Sequence, residues 1–186
     1  LAMKRLFLVF ALLVGLVAAA PGSEESVIEA VFVGYMNAAT SRDGSAVAAA
    51  MSADTVRWWT TIIRKSSTAK KEELLSLSLY EAQSILFMRL RLSPQERREW
   101  DGRTYFEKSY SQGWNSSQAL VRIRDAFPDC EKLWKITQSD AYLSLTYKGQ
   151  PVKGGFRFVR EEGIWKMDGL DQARLIEERS NEALKS

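Results

Sequence analysis

Between Ala141 and Gly169 the chain reads AYLSLTYKGQPVKGGFRFVREEGIWKMDG, and this stretch constrains the fold more than any other. Ala141, Leu143, Leu145 and Tyr147 alternate with Tyr142, Ser144, Thr146 and Lys148, the period of two of a half-buried strand. Gly149-Gln150-Pro151 interrupts that run as a turn. Val152 to Arg160 then reads as a second strand, with Phe156 and Phe158 on one face and Lys153, Arg157 and Val159 on the other. Glu161-Glu162-Gly163 supplies the next turn, and Ile164-Trp165-Lys166-Met167-Asp168 returns as a third strand. Three antiparallel strands with one apolar face need a cover, which the upstream chain must provide.

That upstream chain reads mostly as helix. Ser23 is a suitable N-cap for a helix over Glu24 to Ala39, with Ile28, Val31, Phe32, Tyr35 and Ala39 at helical spacing. A short Ala-rich helix is expected over Ser45 to Met51. A third opens at Ser52-Ala53-Asp54 with Val56, Trp59, Ile62 and Ile63 inward, although Thr60, Thr61 and the two isoleucines keep a strand open as an alternative. Ser66-Ser67-Thr68 reads as a linker before the charged turn Lys70-Lys71-Glu72-Glu73. Leu74 to Leu77 is a turn or short helix, and Leu79 to Leu92 a buried helix. Ser93-Pro94-Gln95-Glu96 has the form of a capping box, and its helix is expected to stop at Gly102 as a left-handed terminator. Arg103 to Gln112 is a further segment; Ala119 to Arg124 suits either strand or helix. Leu133 to Thr137 is a leading strand, and a last amphipathic helix is expected from Asp171.

The first 20 residues form a separate unit. Met3-Lys4-Arg5, the apolar run Leu6 to Val17 and Ala18-Ala19-Ala20 are the basic head, apolar centre and small-residue exit of a secretory signal peptide. The apolar run is short for a membrane span, so membrane contact is expected only through an uncleaved leader. The predicted organisation is a leader over residues 1–20 and one domain over residues 21–186, exported to a bacterial periplasm or secreted. The formal charge of +3 falls by two when Lys4 and Arg5 leave with the leader, which argues against a nucleic-acid partner. With one cysteine, Cys130, no disulfide can form within the chain. With no histidine at all, histidine triads, histidine bases and histidine-ligated metals are excluded. No cofactor is predicted.

Helices followed by an antiparallel meander make an α+β chain. The segment AAAMSADT, followed by terminal strands ending in a charged turn, Gly and Ile-Trp-Lys, resembles the nuclear-transport-factor-two-like superfamily. Ketosteroid isomerase, scytalone dehydratase and the SnoaL-like cyclases share this cone-shaped, cystatin-like fold. The resemblance implies a curved antiparallel sheet wrapped around the N-terminal helix, with a cavity open at one end; the helical insertion near Lys70 to Gly113 departs from that pattern, being longer than a minimal member would have. Such folds serve catalysis, ligand binding or partner contacts, and the fold does not choose among them.

The candidate ligand-binding residues are Arg89, Tyr142, Phe156, Trp165 and Asp168. Arg89 interrupts the apolar pattern Ile85-Leu86-Phe87-Met88-Leu90, where an arginine needs a partner or a ligand. Arg91, Arg97, Arg98 and Arg103 nearby read as solvated helix faces partnered by Glu96, Glu99 and Asp101. Phe156, Trp165 and Tyr142 suit either a pocket or plain core. The leading expectation is a non-catalytic binding protein for a small apolar or anionic ligand or a protein partner. The alternative is a small isomerase or dehydratase using Asp168 with Tyr142 or Tyr147. A homodimer through the sheet face bearing Lys153, Arg157 and Tyr142 is the structural reading.

Overall fold

The computed structural model describes residues 22–115, 118–152 and 154–170, which form an α+β fold of helices followed by an open antiparallel sheet. The expected leader and the expected last helix from Asp171 lie outside the described residues. Helix α1 (Glu24–Ser41) starts where the Ser26 N–H donates to Ser23 Oγ at 3.3 Å, with Glu24 and Glu25 set against the positive end of the helix dipole. It buries Ile28, Phe32, Met36 and Ala39. Asp43 caps α2 (Gly44–Ala50), and Ser52 caps α3 (Ala53–Thr68). The strand alternative for α3 loses because its β-branched threonines fit a helix. Thr60 and Thr61 donate their hydroxyls to the carbonyls of Val56 and Arg57 one turn back, at 2.8 and 3.0 Å.

Ser66-Ser67-Thr68 is not a linker. It is the last turn of α3, where Ser66 is buried and donates to the Ile63 carbonyl at 2.5 Å. Helices α4 (Lys71–Ser76), α5 (Leu79–Arg91) and α6 (Glu96–Glu99) follow. The capping box forms in both directions, Glu96 N–H to Ser93 Oγ at 3.2 Å and Ser93 N–H to Glu96 Oε2 at 2.8 Å, yet it opens a single turn. Gly102 does not end that helix. It is the first residue of α7 (Gly102–Ser111), capped by Asp101, whose carboxylate accepts from the Thr104 N–H at 2.8 Å. A Cβ at Gly102 would stand 2.0 Å from the Val56 carbonyl oxygen, so the glycine is there to let α7 approach α3. The ambiguous segment is α8 (Gln118–Ala126), followed by a 3-10 turn, Phe127–Asp129.

The sheet comprises β1 (Glu131–Ile136), β2 (Asp140–Tyr147), β3 (Gln150–Pro151), β4 (Phe156–Glu161) and β5 (Ile164–Asp168), in the order β1-β2-β4-β5 with β3 also on β2. Its register sets Ile136, Ala141, Phe158 and Met167 in one row and Trp134, Leu143 and Phe156 in the next, facing the helices. Both hairpin turns use two residues with positive φ, Lys148 (50°) with Gly149 (73°) and Glu162 (50°) with Gly163 (82°), which matches the twist of the flanking strands. The first turn therefore falls one residue earlier than expected, and Gln150-Pro151 already pairs with β2. The expected strand from Val152 to Arg160 is broken between β3 and β4, where Gly155 lies under Tyr142. An added Cβ there would meet the Tyr142 ring and hydroxyl at 2.2 Å. Phe32 of α1 anchors the helix to the sheet, its ring centroid 4.6 Å from Phe156, 6.3 Å from Phe158 and 4.8 Å from Phe127. Trp165 secures the same helix by donating Nε1–H to Glu24 at 2.8 Å.

Candidate functional site

The open ends of β4 and β5 and the inner sides of the helices leave a cavity of about 570 Å³. On the sheet side it is bounded by Phe156, Met167 and Asp168. Helix α3 contributes Trp59; α5 contributes Tyr80, Ser84 and Phe87. Helix α7 contributes Tyr105, Phe106 and Tyr110, and α1 contributes Tyr35. The rings brace one another. Trp59 stacks on Tyr105 with centroids 4.6 Å apart, and Phe106 and Tyr110 lie nearly parallel at 6.5 Å.

Hydroxyls give this aromatic lining its polar points. Tyr35 and Tyr110 share a hydrogen bond of 3.0 Å across α1 and α7. Burial raises the pKa of both, and the adjoining hydroxyl of Tyr35 raises that of Tyr110 further. Burial pushes Tyr105 up to about 12 and raises Tyr80 as well. At neutral pH these phenols are hydrogen-bonding groups without charge. Asn115 donates to Ser109 Oγ at 3.0 Å beside Tyr105.

Asp168 is buried and its carboxylate is already occupied. Oδ2 accepts from Arg157 at 2.9 Å; Oδ1 accepts from the Thr55 hydroxyl at 3.2 Å and the Leu170 N–H at 3.0 Å. Thr55 in turn accepts from Ser52 Oγ at 2.8 Å and from the Gly169 N–H at 3.0 Å. Arg157 also bonds Asp140 at 2.5 Å, and the Ser139 hydroxyl, then this guanidinium, holds Asp140 below the usual carboxylate range. Arg157 and Asp168 are the charged side chains in the cavity wall among the described residues, and they pair with each other.

The structure brings two of the five candidate residues, Phe156 and Asp168, into this wall. Trp165 is buried against α1 through Glu24, and Tyr142 packs over Gly155. Arg89 lies outside the cavity wall. Its Nε donates to the Ser66 carbonyl at 2.9 Å and Nη2 to the Ala69 carbonyl, closing the end of α3. Of the two tyrosines expected to work with Asp168, neither lines this wall: Tyr142 packs over Gly155 and Tyr147 lines a separate cavity. The cluster that the sequence reading missed is Tyr80, Tyr105 and Tyr110. Tyr105, Phe106, Ser109 and Tyr110 recur on one face of α7, a signal indistinguishable from plain core packing. Among the described residues, no group of histidine, cysteine, aspartate and glutamate side chains could hold a metal ion, and no helix is long and apolar enough to cross a membrane. Comparison with protein-family models, with curated proteins and with solved structures finds no match for this chain, so its functional reading rests on the cavity.

Proposed function

We propose that the chain is a non-catalytic binding protein that holds a small, electrically neutral, largely apolar ligand in the aromatic cavity. The observation that carries this reading is the lining itself: aromatic rings, uncharged phenols and one ion pair, Arg157 with Asp168. Such a wall favours apolar surface with a few hydrogen-bonding atoms. Among the described residues it offers no free cation to an anionic ligand, because the arginines that could have clamped one are engaged elsewhere or exposed. Helix α1 lying across an antiparallel sheet beside an open cavity supports the cone-shaped arrangement implied by the resemblance to the nuclear-transport-factor-two-like superfamily. The leader sequence supports export.

The direct comparison is equilibrium dialysis with 2-naphthol and 2-naphthoate, which differ in charge and little in shape. The neutral phenol is expected to bind saturably and more tightly; tighter binding of the carboxylate would overturn the neutral-ligand reading. A second reading, an isomerase or dehydratase, is favoured by Asp168 and four tyrosines sharing one cavity wall. It is opposed by the three donors already on the Asp168 carboxylate, which occupy the oxygens a substrate would have to reach.

A further inference from the structure

A second cavity of about 520 Å³ lies between α8, β2 and Val152, the residue after β3. Leu145, Ala126 and Tyr147 supply its apolar lining with Cys130 beside them, and the exposed Arg122, Asp125 and Asp129 also border it. Ile123 of α8 and Val152 line this cavity and also the aromatic one. The two cavities therefore share Ile123 and Val152 as a common boundary. Val152 belongs to the interruption between β3 and β4, held to β2 by its N–H on the Leu145 carbonyl at 2.8 Å, and Ile123 and Val152 are each half-buried.

We infer that the two cavities form one elongated site, partitioned by Ile123 and Val152, for a long alkyl chain with a neutral polar end. The inference rests on the ligand-binding reading of the aromatic cavity. It adds a shape requirement: a fused-ring ligand fills the first cavity alone, whereas an alkyl chain threads past the partition into the second. Each methylene buried from water tightens binding about fourfold, so affinity climbs with chain length for as long as the site has room.

The experiment titrates the full chain with octanol, decanol, dodecanol and tetradecanol, using 2-naphthol as the compact probe. Affinity is expected to rise about fourfold per methylene through the longer alcohols, and to level off at a shorter chain in Ile123→Trp, which fills the partition. On the unaltered chain, Cys130 is the sole cysteine, so its alkylation by iodoacetamide reports on the second cavity. Dodecanol and tetradecanol should slow that reaction; octanol and 2-naphthol should not. If the alcohols level off at the same length in both proteins and Cys130 reacts equally fast with every ligand, while 2-naphthol still binds, the continuous site is wrong and the aromatic cavity stands. If neither 2-naphthol nor any alcohol binds, both readings fall.

Discussion

Asp168 sits where the sheet meets α3, and its bonds join three parts of the fold: Thr55 on α3, Arg157 on β4 and the backbone at Leu170. Removing a carboxylate from a buried pair strands its partner. Arg157 is only part-buried and keeps Asp140, so Asp168→Ala should cost about 2–3 kcal/mol in urea unfolding rather than more. Asp168→Asn retains an acceptor for Thr55 and Leu170 and should lose roughly half as much. Asp140 sets a pH dependence. Because its pKa is lowered in the fold, its contribution is complete above about pH 4, the ordinary aspartate value, and fades as pH falls through the lowered one. Replacing Asp140 with Asn should flatten the acid limb of stability against pH. Tyr105 acts with the opposite sign. Its stabilisation is complete below about pH 10 and is lost as pH rises through about 12, so tyrosinate absorbance should show a late-ionising group that appears early in unfolded chain.

Among the elements, the glycines separate what is local from what is not. Gly34 lies in α1 with nothing within 4 Å of an added Cβ, so Gly34→Ala should stabilise by about 1 kcal/mol through helix propensity. Gly102 opens α7, and a Cβ there strikes the backbone carbonyl of Val56. Gly102→Ala should therefore destabilise by about 2 kcal/mol or more, measured as the shift in urea midpoint. From sequence, Gly102 after Asp101 resembles a helix terminator because the carbonyl it must avoid lies on another helix. The meander was legible for the contrary reason. Alternation of Ala141, Leu143 and Leu145 and the positive-φ residues of its turns are local features, and β5 runs over the predicted Ile164–Asp168. Arg89 falls between these cases. Its need for a partner follows from its apolar neighbours, whereas the partner, the end of α3, is a product of packing.

For the whole molecule, the α+β order of helices before sheet could be read from periodicity, and the cavity could not. Tyr80, Tyr105, Tyr110 and Tyr35 come from three helices, and each alone looks like a core aromatic. Only their convergence on Phe156, Met167 and Asp168 turns them into a wall with hydroxyls. At the sheet's centre Phe32, fully buried among three phenylalanines, should cost about 3–5 kcal/mol when truncated to Ala. The central claim is that the aromatic cavity takes up a neutral apolar ligand. Isothermal titration calorimetry with 2-naphthol at several temperatures, on the native chain and on Ser84→Phe, which fills the cavity from α5, tests it most directly. A saturable one-to-one heat with a negative heat-capacity change, abolished in a folded Ser84→Phe variant, is the predicted result. Absence of saturable heat, or the same heat in both proteins, would contradict it.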